Sequence, residues 1–244
     1  MALKDRRFYC KSPDGNITYS TDGNFLFAEK EGVIMRLDLF AGHYYKLRPY
    51  NGAVILEIDG LRMQLVRDFE TPLDYSREVV KSLGISRSGD HSVLDTCMGL
   101  GYTAIAAAAV PSVKLVVTCE ISDAVVTLAQ WNPFSDRVFE KDSKIMLLRG
   151  SVVEHARSFE SGMFAYVIHD PPRISHAPEL YSTDFYRELY RILKKGGTLF
   201  HYVGAVGKGR GRRIESDVGK RLSEAGFARI RYLERLQGII ASKS

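Results

Sequence analysis

The 244-residue sequence lacks the features that direct a chain to a membrane or to an oxidising compartment. No stretch approaches the run of about 18 apolar residues that spans a bilayer, and the charged N-terminus has no apolar signal core. The three cysteines, Cys10, Cys97 and Cys119, have no metal-ligand spacing and cannot form a full set of disulfides. We therefore expect a cytoplasmic protein with no membrane association.

The composition is that of an ordinary folded protein. Hydrophobic residues make up 45% of the chain and charged residues 26%, and the length accommodates one large α/β domain with a small appendage. A formal net charge of +5 mildly favours an anionic partner such as nucleic acid. Many enzymes of small anions carry a similar charge, so composition alone does not decide between these partners.

The first 70 residues predict a β-rich N-terminal domain. Short apolar or alternating runs are separated by turn signals, because Asp-Gly and Asn-Gly accept the positive φ of tight hairpins. Thr71-Pro72 then has the pattern of a helix N-cap followed by proline, and it predicts a helix through Leu83. We therefore divide the chain into domains at 1–70 and 71–244. The turn signals lie at residues 13–16, 22–24, 31–32, 51–52 and 59–60.

From residue 91 onward, apolar strands alternate with helices, which predicts an α/β fold. The strands are apolar throughout, as in a parallel sheet covered on both faces, and repeated β–α units imply a doubly wound sheet. Residues 185–199 predict a helix, a glycine C-cap at Gly196-Gly197 and a strand. Predicted strands cover residues 93–96, 115–119, 145–148, 165–169, 198–203, 228–235 and 238–242, and predicted helices cover 102–109, 124–131, 152–157, 184–193 and 214–224.

A loop with two glycines follows the first of these strands, at the end where open parallel sheets bind ligands. It reads Asp95-Thr96-Cys97-Met98-Gly99-Leu100-Gly101. The glycines let the backbone turn sharply, and the following helix directs its N-terminal amides at a ligand. Glu120 ends the next strand, near the spacing at which a carboxylate meets ribose hydroxyls in nucleotide-binding βαβ units. Together the loop and the acid predict a cofactor site.

Two cofactors compete for this loop. Gly99-x-Gly101-x-x-Ala104 matches the dinucleotide pattern, but the charge of Asp95 would then face a pyrophosphate. A sulfonium cofactor carries an ammonium group and a positive sulfur, which Asp95 would attract. The loop therefore favours S-adenosyl-L-methionine over a nicotinamide dinucleotide.

A second loop, Asp170-Pro171-Pro172-Arg173, follows the strand that ends at His169. Two prolines fix φ and remove donors, so the loop presents carbonyl oxygens and the Asp170 carboxylate as rigid acceptors for a substrate amine. We predict that Asp170 orients the acceptor nitrogen and takes its proton, with His169 and His201 as secondary candidates. The alternatives are a turn cap for Asp170 and ordinary strand-end packing for the two histidines.

These motifs resemble those of class I, Rossmann-like S-adenosylmethionine-dependent methyltransferases. The match lies in Asp95-x-Cys97-x-Gly99-x-Gly101, Glu120, Asp170-Pro171-Pro172 and Leu193-Lys194-Lys195-Gly196-Gly197, over roughly residues 72–244. Residues 165–199 look most like the spermidine-synthase-like branch, which includes half of a bacterial wobble-uridine-modifying enzyme. The first loop also looks like a group of predicted archaeal methyltransferases. The resemblance implies a mostly parallel, seven-stranded sheet.

The resemblance also implies a set of cofactor-binding residues. Glu120 would bind both ribose hydroxyls, and Ile121 would pack beside the adenine. The other predicted cofactor contacts are Asp95, Thr96, Cys97, Gly99, Gly101, Gly150, Ser151 and Asp170. In-line methyl transfer of this kind depends on alignment of the reacting groups and needs no metal.

The sequence departs from the family pattern at three positions. Cys97 replaces the usual first glycine, and Ser151 stands where many relatives have an acid for the adenine amino group. Arg173 replaces the aromatic residue that stacks on the target base in amino-methylating nucleic-acid enzymes, although arginine can also stack or bind phosphate. The glycine-rich acidic cluster of true spermidine synthases is absent, which argues against aminopropyl transfer.

A basic, glycine-rich segment, residues 207–213, predicts a contact with substrate phosphates. Its cations are Lys208, Arg210, Arg212 and Arg213, and Arg173 completes the predicted substrate-binding set. A solvated loop is an equal alternative. The N-terminal domain is compatible with a nucleic-acid surface, a lid or an element of a homo-oligomer.

Four functions follow from the sequence. The first is N-methylation of RNA such as tRNA, and the second is methyl or aminopropyl transfer to a small amine or polyamine. The third is a non-catalytic nucleic-acid-binding module. A nicotinamide oxidoreductase is the fourth.

Overall fold

The computed structural model describes residues 10–11, 17–204 and 214–244. Within them the strands form three sheets. The strands are β1 (Cys10–Lys11), β2 (Thr18–Thr21), β3 (Leu26–Lys30), β4 (Val33–Arg36), β5 (Asp38–Ala41), β6 (His43–Tyr50), β7 (Ala53–Ile58), β8 (Leu61–Arg62), β9 (His91–Asp95), β10 (Val113–Glu120), β11 (Ile145–Arg149), β12 (Phe164–His169), β13 (Leu193–Tyr202), β14 (Ala228–Leu233) and β15 (Gly238–Ser242).

The helices of the described residues follow the predicted order. Each helix that was predicted begins and ends within one residue of its predicted bounds. They are α1 (Pro72–Ser82), α2 (Tyr102–Ala108), α3 (Asp123–Gln130), α4 (Asp136–Phe139), α5 (Val152–Ser158), α6 (Thr183–Ile192), α7 (Ile214–Glu224) and a 3-10 turn at Pro178–Tyr181. The sequence analysis missed the two short elements, α4 and the 3-10 turn, because four residues are too few to show a helical period. No described helix has the length and apolarity of a membrane span.

The N-terminal part is β-rich, as predicted, and consists of two antiparallel four-stranded sheets in chain order. Its two-residue turns have positive φ at both positions, with values of 53° and 79° at Glu31-Gly32 and 46° and 75° at Asn51-Gly52. Such turns match the right-handed twist of the flanking strands, which is why Asn-Gly and Asp-Gly predict them. The turn predicted at 13–16 lies outside the described residues.

The remaining sheet has seven strands in the order β11-β10-β9-β12-β13-β15-β14. The first five are parallel, and β15 runs antiparallel between β13 and β14. The predicted doubly wound, mostly parallel sheet is therefore confirmed. The chain runs from β9 to β10 and β11 on one side of the sheet, and then to β12 and β13 on the other side of β9. The strand order therefore reverses at β9. Ligands bind at such switch points in open sheets.

Two hydrophobic clusters cover the faces of the large sheet. One is built around α5, α6 and α7. The other joins α1, α2 and α3 to the N-terminal sheets, with Val54 and Leu56 of β7 in the same cluster as Val93 of β9. The Tyr102 hydroxyl donates to the Val54 carbonyl at 2.8 Å across this contact. The N-terminal sheets thus pack on the helices that flank the predicted site, and the domain boundary at residue 70 stays a prediction.

The predicted glycine C-cap is wrong. Helix α6 ends at Ile192, and β13 begins at the next residue. Gly196 and Gly197 instead lie in an irregularity of β13, where the pairing with β12 shifts between Phe164 and Tyr166. The Gly196 amide donates to Lys243 O, so the turn is bound to the C-terminal strand rather than to the helix.

These neighbouring glycines are required for different reasons, which two substitutions would separate. Gly196 has a φ of 76° with open space beside it, whereas a Cβ on Gly197 would lie 2.8 Å from the carbonyl oxygens of Ala165 and Lys194. We expect Gly196→Ala to cost about 1 kcal/mol through φ strain and Gly197→Ala about 2–3 kcal/mol through overpacking. Urea unfolding measures both free energies, and equal losses would contradict this assignment.

Candidate active site

The glycine loop after β9 is shaped by its neighbours. Gly99 and Gly101 have φ values of 53° and 76°, a conformation that disfavours a side chain. A Cβ on Gly101 would also collide with Val138 of α4. Gly99, in contrast, has open space beside it, and the nearest atom is Nε2 of Gln64. The loop therefore offers a bare backbone surface at Gly99 and a packed one at Gly101.

Glu120 lies across this loop. One carboxylate oxygen accepts the Gly99 amide at 3.0 Å, and the other accepts the Ser122 amide at 2.9 Å. Burial raises the pKa of Glu120, and these amide hydrogen bonds oppose the shift. The geometry holds the carboxylate at the edge of the loop, with lone pairs left to accept ligand hydroxyls.

Asp95 lies beneath the loop rather than on its surface, which revises its predicted role as a direct cofactor contact. Its side chain has no exposed surface. Its two oxygens accept from the hydroxyls of Thr103 at 3.0 Å and Thr118 at 2.6 Å. Burial raises the pKa of Asp95 to about 7 despite these hydrogen bonds. Through Thr103, Asp95 is connected to the first turn of α2, and its part in cofactor binding stays a prediction.

The residues predicted to hold an adenine lie at the ends of β10 and β11. Ile121 is 74% exposed beside Glu120. The Gly150 amide donates to Glu120 O at 2.8 Å, which brings the two strand ends together. Ser151 begins α5 without capping it through its side chain. A hydroxyl and an exposed apolar side chain thus flank the acid, although direct contact with a ligand stays a prediction.

The second loop places Asp170 opposite the glycine loop. Ile168 of β12 pairs directly with Asp95 of β9. Asp95 ends its strand and Asp170 directly follows the neighbouring strand, so the two residues lie at the same edge of the sheet. Asp170 is half-buried, and one of its oxygens accepts from the Tyr75 hydroxyl at 3.2 Å. Burial raises the pKa of Asp170 to about 7, a shift that the Tyr75 hydrogen bond opposes. A carboxylate of this kind can take up a proton near neutral pH.

The two prolines that follow Asp170 are placed differently. Pro171 is buried and Pro172 is exposed. The Pro172 carbonyl accepts from the Tyr181 hydroxyl at 2.8 Å, which occupies one of its two lone pairs. The next residue, Arg173, is exposed. The Asp170 carboxylate is thus the acceptor whose surroundings the structure defines best, and the role of the loop carbonyls stays a prediction.

The surroundings of His169 and Thr96 argue against a catalytic role for His169 and against a side-chain contact of Thr96 with the cofactor. His169 is fully buried, and its ring nitrogens meet the Thr96 hydroxyl at 2.7 Å and the Leu180 carbonyl at 2.9 Å. Burial lowers its pKa to about 4, so the ring stays neutral. His201 is also buried, with Nε2 at 2.7 Å from the Tyr186 hydroxyl. Neither histidine can reach a substrate.

Cys97 packs against the cluster around α5, α6 and α7. It is half-buried in the glycine loop, and burial raises the pKa of its thiol well above the ordinary value. A protonated thiol is a weak nucleophile, so Cys97 is a neutral wall residue rather than a reactive one.

Two site residues were missed from the sequence, Tyr75 and Gln64. Tyr75 is an apolar-face residue of α1, a pattern that predicts core packing, and its ring packs edge-on against Phe69 at 5.5 Å. Gln64 belongs to the irregular connection after β8, and its Oε1 accepts the Leu56 amide at 2.7 Å. No local signal marks either one, because only packing of the N-terminal part brings them to the loops.

The predicted phosphate contacts Lys208, Arg210, Arg212 and Arg213 lie outside the described residues. Of the predicted substrate-binding set, only Arg173 can be placed. Its exposed position after Pro172 puts a cation at the rim of the site.

The donor set fits a cationic cofactor. Asp95, Glu120 and Asp170 converge on one sheet edge, and among the described ion pairs none joins a lysine or arginine to any of them. Unpaired carboxylates of this kind attract a sulfonium and an ammonium group, and they would repel a pyrophosphate. The described residues contain no cluster of three potential metal ligands.

The sequence has an archaeal relative, and no family model matches it. The relative is MJ1233, an uncharacterised protein of Methanocaldococcus jannaschii. It is 36% identical over 240 residues, which cover 96% of this chain and 81% of the relative. This agrees with the archaeal resemblance of the glycine loop.

Two spermidine synthase structures share the fold over the length of the chain. The Thermotoga maritima enzyme is 17% identical with a TM-score of 0.67, and the match covers 99% of this chain and 80% of that one. A spermidine synthase in complex with the transition-state analogue AdoDATO is 18% identical with a TM-score of 0.70, covering 100% and 83%. The predicted class I fold and its likeness to the spermidine-synthase branch are thereby confirmed.

The buried Asp95 makes stability depend on pH. Its pKa is raised in the folded state, so its contribution is present at low pH and is lost as the pH rises through about 7. Asp95→Asn stays neutral, and we expect it to be more stable than the wild type at pH 8.5 by roughly 1–4 kcal/mol but not at pH 4. Chemical unfolding at both values tests this.

The matched control for this experiment is Asp90→Asn, because the Asp90 side chain is 80% exposed. It should leave the pH dependence unchanged. Parallel stability profiles of the wild type and Asp95→Asn would show that the pKa of Asp95 is the same in the folded and unfolded states, and would contradict this assignment.

Proposed function

The chain belongs to the same family as MJ1233 and has the class I methyltransferase fold, and from this premise we propose that it is an S-adenosyl-L-methionine-dependent N-methyltransferase. The observation that carries the proposal is the Asp170 carboxylate, held by Tyr75 opposite the glycine loop with a pKa of about 7. A nitrogen nucleophile needs a free lone pair, and in this proposal Asp170 accepts the proton that blocks it.

S-adenosyl-L-methionine supplies an activated methyl group on a sulfonium. In this proposal Glu120 binds the ribose hydroxyls, Ile121 and Ser151 border the adenine, and the Gly99 backbone leaves room for the methionine part. Gln64 and Cys97 form the nearby walls. Asp95 attracts the positive charge from beneath the loop. The chain's contribution to the rate is then mainly alignment of two reactants, which is worth up to about 7–11 kcal/mol in well-oriented systems.

RNA is the first candidate acceptor, with a cytoplasmic site of action. The chain has a formal net charge of +5, and four cations lie between residues 207 and 213. Arg173 is exposed immediately after the Asp170 loop. A cation beside the reaction centre suits a phosphate backbone, and Arg173 can also stack on a base.

A small amine is the second candidate, favoured by the surroundings of Asp170. Burial and the nearby Asp170 charge raise the pKa values of Tyr75, Tyr181 and Tyr202. Three neutral phenols around one carboxylate suit an ammonium group, which is attracted by both aromatic faces and the acid. The full-length likeness to spermidine synthases, which includes the N-terminal sheets, supports the same acceptor class.

Replacement of the base tests the proposal. We expect Asp170→Asn to retain S-adenosyl-L-methionine binding by calorimetry within about threefold and to lose methyl transfer by about 100-fold or more, because amide oxygens do not accept the proton. The wild-type rate should rise with pH through an apparent pKa near 7, where Asp170 ionises. The variant should lack this limb. Full turnover by Asp170→Asn, or no cofactor binding by the wild type, would overturn the proposal.

The acceptor is tested with labelled cofactor. We expect label to enter either total tRNA or a polyamine mixture, and each product identifies one of the two candidates. Decarboxylated S-adenosylmethionine and NAD serve as cofactor controls. Transfer of the aminopropyl group instead of the methyl group would replace the methylation proposal by an aminopropyl one.

A further inference from the structure

A buried histidine connects the two loops of the site. His169 ends β12, directly before Asp170, and its ring has no exposed surface. Its Nε2 lies 2.9 Å from the Leu180 carbonyl, which can only accept, so Nε2 carries the proton. The neutral ring then accepts from the Thr96 hydroxyl at Nδ1, over 2.7 Å. One side chain thus joins the glycine loop to the turn at Pro178–Tyr181.

The turn at Pro178–Tyr181 is bonded to the loop that follows Asp170. The Tyr181 hydroxyl donates to the Pro172 carbonyl at 2.8 Å, so residues 172–181 form a closed segment. Arg221 of α7 donates to the Tyr181 carbonyl at 2.8 Å. Within the segment Arg173, Ser175 and His176 are exposed, whereas Ala177, Leu180 and Tyr181 are buried in the cluster around α5, α6 and α7. The hydrogen bonds of Tyr181 and Leu180 therefore hold the segment together with this packing.

The surroundings of His169 suit a structural role rather than proton transfer. Burial keeps its pKa at about 4, so it stays neutral across the working range and its tautomer is fixed by the Leu180 carbonyl. Its ring is also fixed by packing, with the ring of Phe185 at 5.4 Å and that of His201 at 4.3 Å between centroids. Because the ring is held in this way, a displacement of Thr96 would also displace Leu180.

We propose that His169 is a positioning residue that couples the glycine loop to residues 172–181, so that ordering of the first loop orders the second. A cofactor bound at the glycine loop would then place Pro172 and Asp170 for the acceptor. The coupling runs from Thr96 through His169 and Leu180 to Tyr181. This inference rests on the proposed function for its catalytic consequence but not for the coupling itself.

Removal of one hydroxyl tests the coupling in the cofactor-free chain. Thr96→Val deletes the hydrogen bond to His169 with little change of shape. The amides of His176, Ala177, Leu180 and Ser182, which all bond within the segment, should then exchange with solvent about tenfold faster, the effect of one lost buried hydrogen bond. Thr96→Ser keeps the hydroxyl and should restore wild-type exchange.

Ser112→Ala is the matched control. It removes a hydrogen bond of the same length, 2.7 Å, from buried Ser112 to the Ser86 carbonyl, at the opposite end of the sheet. It should lower global stability while leaving exchange in residues 176–182 within about twofold. Equal acceleration by Thr96→Val and Ser112→Ala would overturn the proposal, because it would show a general loosening of the core.

A second measurement uses the intact site. S-adenosyl-L-methionine should slow exchange of the 176–182 amides in the wild type and in Thr96→Ser, but not in Thr96→Val or His169→Gln. Protection that persists in Thr96→Val would contradict the coupling. If the wild type does not bind this compound, the proposed function fails, while the result in the cofactor-free chain still decides the coupling.

Turnover gives the last readout. Thr96→Val should lower kcat about tenfold with little change in KM for the cofactor, since Glu120 and the glycine loop remain. A change confined to KM would place Thr96 in binding rather than in positioning and would overturn the proposal.

Discussion

The parallel pairing of β9 with β10 on one side and β12 on the other determines the geometry of the site. Thr118 and Ile168 both pair with Asp95, so three strands end at one level. Glu120 and Asp170 lie two residues beyond these pairs, on opposite sides of the glycine loop. A one-residue shift in this register would move one carboxylate away from the others and reverse the side chains that face the core.

The convergence of Asp95, Glu120 and Asp170 at one sheet edge lowers the stability of the fold. Asp95 is buried without a cationic partner among the described residues, and burial raises the pKa of both Asp95 and Asp170 to about 7. Two threonine hydroxyls and one tyrosine hydroxyl offset part of the desolvation. A cationic ligand would favour the charged forms, so binding and ionisation are coupled.

The N-terminal sheets contribute to the site through packing. They share a hydrophobic cluster with α1 and α2, and the connection that follows β8 brings Gln64 to the open side of Gly99. Phe69, in the same connection, packs against Tyr75 and is itself covered by the guanidinium of Arg235 at 4.6 Å. The likeness of fold to spermidine synthases extends over these sheets.

Local sequence determined the elements and the loops. Apolar strands, the Thr71-Pro72 helix start and the Asn-Gly turns are set by backbone and side-chain preferences within a few residues, and parallel topology then places the glycine loop, Glu120 and Asp170 at one edge. Tertiary structure alone decided which of their atoms are free. Asp95, Thr96 and His169 look like surface ligands in the sequence, but long-range partners bury them. Tyr75 and Gln64 look like ordinary packing residues and reach the site, because burial and hydrogen bonding depend on contacts distant in sequence.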